Sequence, residues 1–101
     1  MPLTVFRSRL RPEAAHEYEG WAARMDALAR TMPGYLSHKT FTADDGERVT
    51  LVEFDSEENQ QAWAKHPEHL EAQEKGRKRF YSEFSIQVCS VVRSAGFDRG
   101  K

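Results

Sequence analysis

Four stretches of the chain have the β-branched and apolar residues that favour β-strands: 3–10, 35–43, 47–54 and 81–93. Asp44-Asp45-Gly46 lies between the second and third stretches and is typical of a hairpin turn, because glycine accepts a positive φ. The pattern therefore predicts an antiparallel hairpin over 35–54, with a further strand before it and another after it.

The period of two along these strands also assigns their faces. In the first strand the more apolar set is predicted to face the core: Thr4, Phe6, Ser8 and Leu10. The other face carries Arg7 and Arg9, which could line a cleft between two copies of the chain. In the last strand Phe84, Ile86, Val88 and Val92 share one face.

Helical spacing accounts for the apolar residues between the strands. Pro12 suits the first turn of a helix, and Pro33-Gly34 ends that helix. Its predicted apolar stripe contains Ala14, Tyr18, Trp21, Ala22, Met25, Leu28, Ala29 and Met32. Asp55-Ser56 is a capping signal for a helix that runs to about Lys65, and Pro67 predicts a break at His66 before a further helix to about Arg79.

The resulting order, β-α-β-β-α-β, is that of an α+β, ferredoxin-like fold with a four-stranded antiparallel sheet and its helices on one face. The chain of 101 residues is predicted to form a single domain, with its core over about 3–93 and a polar tail over 94–101. The other sheet face carries apolar residues that must be buried somewhere. We expect a homodimer formed through this open sheet face.

Composition narrows the classes of partner. The net charge is −1 with 31% charged residues, which gives no electrostatic case for nucleic acid or for an anionic membrane. No apolar run approaches the roughly 18 residues of a membrane helix. Cys89 is the only cysteine, so an intramolecular disulfide is impossible. Together with an N-terminus unlike a signal peptide, this predicts a cytoplasmic protein.

Candidate chemistry is concentrated in the stretch Trp63–Tyr81. His66 and His69 share a helical face and could bind a metal with Glu68 and His38, but two imidazoles are too few for a stable site, so we expect no metal. The alternative is that His66 caps the helix. A base of near-neutral pKa is what a histidine can supply, and His69 and His38 are the candidates.

A small-molecule pocket is the better interpretation of these residues. Glu53 is a candidate orienting partner for a catalytic histidine, although a salt bridge to Arg7 or Arg9 at a dimer interface explains it equally well. The predicted substrate-binding residues are Trp63, His66, Gln73, Arg77, Phe80 and Tyr81. Aromatic side chains among them would provide apolar walls, and Arg77 could bind an anionic group.

Three motifs carry a family resemblance: M-P-G-Y at 32–35, V-E-F-D-S-E-E at 52–58 and W-x-x-H-P-E-H-x-x-A-Q-x-x-G-R-x-x-F-Y at 63–81. With the order of elements, they make the chain resemble the antibiotic biosynthesis monooxygenase family of small dimeric α+β-barrel proteins. The resemblance implies a monooxygenase-like protein that oxidises a small aromatic or quinol without a cofactor. The family also includes proteins without known activity, so a non-catalytic protein that binds a small ligand, or a stress-linked one, is the alternative.

The family's heme-degrading branch provides a further comparison. Trp63 matches the tryptophan of its pattern, but the position ten residues later, where an axial histidine is expected, is Gln73. The pattern also requires an asparagine on the first strand, whereas the only one in the chain, Asn59, falls in a predicted helix. A heme-binding variant is therefore the weaker alternative.

Overall fold

The computed structural model describes residues 1–100 and contains a four-stranded sheet. Its strands are β1 (Pro2–Leu10), β2 (Tyr35–Thr42), β3 (Arg48–Phe54) and β4 (Tyr81–Ser90). They lie in the order β2-β3-β1-β4, and every neighbouring pair is antiparallel. The predicted ferredoxin-like α+β fold and its hairpin over 35–54 are confirmed.

Three α-helices accompany the sheet: α1 (Ala15–Thr31), α2 (Glu57–Ala64) and α3 (Pro67–Lys75). A short 3-10 turn at Pro12–Ala14 leads into α1. The side chain of Ser56 caps α2 by accepting a hydrogen bond from the backbone N–H of Asn59 at 3.1 Å. The predicted break at His66 separates α2 from α3, because Pro67 disfavours helical geometry in the residue before it.

Two predicted C-terminal boundaries differ from the structure by more than two residues. The helix does not stay regular to Arg79, because Gly76–Phe80 forms a π-helical turn after α3. The last strand ends at Ser90 rather than at Arg93. The reason is that β1 begins at Pro2, which pairs with Ser90, so little of β1 remains to pair with later residues.

Two apolar clusters hold the helices on the sheet. The first contains Met25, Ala29, Val52, Phe54 and Trp63, and the second contains Ala14, Tyr18 and Phe80. Phe54 and Phe80 are almost fully buried, and burial of each such side chain is worth roughly 1.5–3 kcal/mol. Thr4 and Ser8 are also buried, as the predicted core face of β1 requires.

The helices leave β4 largely uncovered. Phe84, Ile86 and Val88 pair with Ser8, Phe6 and Thr4, so they share the helix-bearing face of the sheet. They nevertheless remain 42%, 54% and 51% exposed. Over the described part of the chain, no helix combines the length and the apolar character needed to cross a membrane.

Candidate functional site

A cavity of about 600 Å³ lies between the sheet and the helices. This volume is within the usual range for small-molecule sites. Its walls are mainly apolar and aromatic, and include Phe6, Tyr18, Trp21, Met25, Val52, Trp63, Phe80, Tyr81, Phe84 and Ile86. Polar and charged residues are interspersed with these walls, so a ligand here would be held by apolar contact and oriented by hydrogen bonds.

His38 lies in the cavity wall and has a carboxylate partner. Its Nδ1 is 3.0 Å from Oδ1 of Asp26, and the His38 side chain is only 16% exposed. Because a carboxylate oxygen only accepts, the neutral form of this imidazole has its proton on Nδ1 and its lone pair on Nε2. The Nε of Arg30 donates to the other oxygen of Asp26 at 3.0 Å. This chain of contacts fixes both the tautomer and the orientation of His38.

His69 faces the same cavity from α3, with different surroundings. Its ring stacks on Trp63, with centroids 4.1 Å apart and planes 13° apart. Its Nδ1 donates to the Trp63 carbonyl oxygen at 3.0 Å, since a carbonyl cannot donate. Burial lowers the pKa of His69, and the nearby imidazoles of His38 and His66 lower it further. His69 is therefore neutral at pH 7, with Nε2 as its basic nitrogen.

His66 does not line the cavity. It is the N-cap residue of α3, and its Nδ1 accepts a hydrogen bond from the backbone N–H of Glu68 at 3.2 Å. This contact satisfies one of the free N–H groups at the helix start. The structure thus gives His66 the capping position that was the alternative to a site role.

Glu53 lies on the opposite sheet face from the cavity. It pairs with Leu3 and Ser37, and its Oε1 accepts a hydrogen bond from the Ser37 hydroxyl at 2.9 Å. His38 instead pairs with Val52, one residue away, and therefore points to the helix side. Glu53 is not positioned to orient a cavity histidine, and Asp26 occupies that place.

Gln73 lines the cavity, where its Nε2 donates to the Ala64 carbonyl oxygen at 3.4 Å. The cavity therefore has an amide at the position where the heme-degrading pattern has its axial histidine. A side-chain amide is a poor iron ligand beside imidazole. Within residues 1–100, no group of three or more His, Cys, Asp or Glu side chains is arranged to hold a metal ion.

Arg77, Phe80 and Tyr81 reach the cavity from the π-helical turn and the start of β4. Gly76 packs so closely on Tyr81 that a Cβ at this position would lie 2.6 Å from its Cε2 atom. Burial raises the pKa of Tyr81, and its contact with Tyr18 adds to the rise, so its hydroxyl stays protonated at neutral pH. The close packing of Gly76 on the Tyr81 ring holds the π-helical turn against the cavity wall.

The structure brings seven of the nine predicted site residues to this cavity: His38, Trp63, His69, Gln73, Arg77, Phe80 and Tyr81. Sequence reasoning missed Asp26, which lies one position from the apolar residue Met25 on α1. The missing signal is tertiary, since only the turn from α1 into β2 brings Asp26 to His38. A charged residue at the edge of an apolar helix stripe was the one local hint.

Comparisons with known proteins agree with this fold. The family model described as antibiotic biosynthesis monooxygenase matches residues 1–75. The uncharacterized protein YqjZ of Bacillus subtilis is 33% identical over 93 residues, which cover 92% of this chain and 82% of YqjZ.

Solved structures with low identity share the architecture. Rv0793 of Mycobacterium tuberculosis superposes with a TM-score of 0.81 at 19% identity, covering 95% of this chain and 100% of that one. SnoaB of Streptomyces nogalater, a cofactor-independent oxygenase, has a TM-score of 0.77 at 17% identity, covering 92% of this chain and 94% of its own. By the match of its family model and its likeness to YqjZ, this chain belongs to the antibiotic biosynthesis monooxygenase family.

Proposed function

We propose that this protein is a monooxygenase that oxidises a small phenol or quinol in the cavity without a bound cofactor. The observation that carries the proposal is the contact of His38 Nδ1 with Asp26 at 3.0 Å in the wall of an aromatic-lined cavity. A histidine oriented by a carboxylate is a suitable general base near neutral pH. The cofactor-independent oxygenase SnoaB, which shares this fold, supports the same reaction class.

In the proposed reaction, Nε2 of His38 takes the hydroxyl proton of the phenol. The phenolate passes one electron to O₂, and the resulting superoxide joins the ring carbon opposite the oxygen. The ring peroxide takes this proton back from His38, and its outer oxygen leaves as water with that proton and the hydrogen of the ring carbon, which gives a quinone. One oxygen atom ends in the product and the other in water, and the substrate supplies every electron that this requires.

The remaining side chains would support this chemistry by position and polarity. The carboxylate of Asp26 stabilises the imidazolium that forms when His38 accepts the proton. Neutral His69 accepts a hydrogen bond from a second hydroxyl of the ligand through Nε2. Trp63 and Phe80, which are 4% and 2% exposed, exclude water and strengthen both electrostatic effects.

The test uses 1,5-dihydroxynaphthalene, which this reaction would convert into the coloured quinone juglone and water with one O₂ consumed. We expect oxygen uptake and juglone formation above the uncatalysed background in equal amounts, with a metal chelator present and no flavin added. Turnover that depends on an added flavin or metal would contradict the proposal. Ligand binding without oxidation across a panel of phenols and quinols would favour the non-catalytic alternative.

We also propose that the protein is a homodimer joined through the sheet face that the helices leave open. Apolar side chains at the middle of that face support this: Leu3, Val5, Val49, Leu51 and Phe41. Ion pairs border them, with Arg7 2.8 Å from Glu47 and Arg9 2.9 Å from Asp45. Sedimentation at micromolar concentration should give twice the chain mass, and a monomer would refute the proposal.

A further inference from the structure

The cationic residues around the cavity differ in whether their charged groups already have a partner within the protein. Three cationic residues border it, Arg30, Lys39 and Arg77, against the single acidic residue Asp26, but Lys39 pairs with Leu51, so its side chain points to the open sheet face. Arg30 is paired with Asp26 at 3.0 Å. The Lys39 amine lies over the Phe41 ring, 5.4 Å from its centroid. That leaves Arg77 as the cation that an incoming ligand could engage.

The basic cluster at the end of α3, which consists of Lys75, Arg77, Lys78 and Arg79, gives an internal comparison. Lys75 lies over the Trp21 ring, 5.1 Å from its centroid. Lys78 pairs with Glu74 at 2.8 Å, and Arg79 pairs with Glu17 at 2.9 Å. Positive side chains at the C-terminal end of a helix are explained by the negative end of the helix dipole. The dipole does not explain why one of these four basic residues also lines the cavity.

Arg77 is that exception. Among residues 1–100, no carboxylate lies within ion-pair distance of its guanidinium, and it lines the cavity, whereas Lys75, Lys78 and Arg79 do not. The hydrogen bond and charge of Lys78 are the main causes that lower the pKa of Glu74, and Arg77 adds only a smaller part without contacting the carboxylate. The close fit of Gly76 on the Tyr81 ring fixes the turn from which Arg77 extends.

We infer that the ligand of this cavity is an aromatic compound that carries an anionic group, such as a carboxylate, and that Arg77 binds this group. The inference deepens the proposed function and rests on it only for the use of the same cavity. The aromatic body of the ligand lies among Trp63, His69 and Phe80, while its anionic group stays at Arg77, which is exposed at the cavity edge. A guanidinium can donate two parallel hydrogen bonds to a carboxylate, which adds geometric selectivity.

The test compares two fluorescent probes with the same aromatic body. 1-Anilinonaphthalene-8-sulfonate is anionic, and N-phenyl-1-naphthylamine is its neutral counterpart without the sulfonate. We expect Arg77→Gln to weaken binding of the anionic probe by about tenfold, the size of one charge-assisted hydrogen bond, and to change binding of the neutral probe by less than about twofold. Arg77→Lys, which keeps the charge, should restore part of the loss.

Lys78→Gln is the matched control, because it removes a neighbouring positive charge that does not line the cavity. It should leave the binding of both probes nearly unchanged. Equal losses for the two probes in Arg77→Gln, no loss in that variant, or an equal loss of anion binding in Lys78→Gln would each overturn the inference. The measurement needs no turnover, so a protein that binds the anion selectively but oxidises no phenol refutes the proposed function alone.

Discussion

His38 and His69 line one cavity, yet their Nδ1 atoms have different partners. Nδ1 of His38 is held by the side-chain carboxylate of Asp26, and Nδ1 of His69 by the backbone carbonyl of Trp63. Both partners fix the same tautomer, with the basic lone pair on Nε2. Only the carboxylate carries a charge that stabilises an imidazolium, and burial opposes the charging of His69. Histidines in one cavity are therefore suited to two tasks, proton transfer and neutral hydrogen bonding.

The two histidines also differ in the rigidity of their supports. His38 is on β2, where His38 pairs with Val52 in the sheet. His69 is on α3, a helix in which every residue is at least partly exposed. An ion pair between Arg24 and Glu68 at 3.1 Å joins α3 to α1. A base must be held in a narrow range of positions, and a sheet provides this better than a short surface helix.

Replacement of each histidine by glutamine tests the division of tasks, and the largest effect is expected here. His38→Gln should lower juglone formation by about 10²- to 10⁴-fold, the usual contribution of a general base. His69→Gln should cost less than about tenfold, because it removes one hydrogen bond to a neutral ligand group. Initial rates of oxygen uptake at saturating substrate give both numbers.

His16→Gln is the control for these variants, since His16 is exposed on α1 and does not line the cavity. It should leave the rate unchanged. Equal losses in the His38 and His69 variants would remove the distinction between base and hydrogen-bond acceptor. A larger loss in His69→Gln would reverse it.

Asp26→Asn is expected to have the next largest effect. The amide keeps the size of the side chain but no longer stabilises a charged imidazolium, so turnover should fall by about ten- to a hundredfold. Ligand affinity should change little, because Asp26 acts through His38. The measurement is therefore kcat and KM determined separately, together with their ratio, and the fall should be in kcat.

Arg30→Gln provides a matched comparison, because it removes the partner on the far side of Asp26 and keeps the contact between Asp26 and His38. Its effect on kcat should be smaller than that of Asp26→Asn. A fall in affinity alone for Asp26→Asn, with kcat unchanged, would show that Asp26 contacts the ligand and does not position the base.

The parts of this protein that could be predicted from the sequence are those with local signals. Pro67 placed the helix break, and Asp44-Asp45-Gly46 placed the hairpin. Glu53, a candidate orienting partner, does not line the cavity, and a local signal for this existed. It lies between Val52 and Phe54, and alternation along a strand puts it on the face opposite to these buried residues.

Asp26 had no comparable signal. Its contact with His38 joins α1 to β2, so it depends on how the helix packs on the sheet. The same holds for Gly76, whose close approach to Tyr81 arises where the π-helical turn enters β4. Local patterns indicate which elements form and which side chains are chemically capable, but pairing across elements requires the packed structure.

The smallest predicted effect concerns stability and follows from the burial of His69. Its pKa is lower in the folded protein than its ordinary value of 6.5, so near that pH the unfolded chain binds more protons there than the folded chain. Acidification therefore favours unfolding, and the contribution of His69 to stability is lost as the pH falls from above 6.5 towards its folded pKa. In His69→Gln this contribution is absent.

Urea unfolding between pH 7.5 and pH 5 should show a shallower fall in the free energy of unfolding for this variant than for the natural protein. Gln73→Asn is the control on the same helix, and because it removes no titrating group its curve should run parallel to that of the natural protein. Parallel curves for the natural protein and His69→Gln would mean that His69 takes up a proton as easily when folded as when unfolded, and the contrast with His38 would then rest on the Asp26 carboxylate alone.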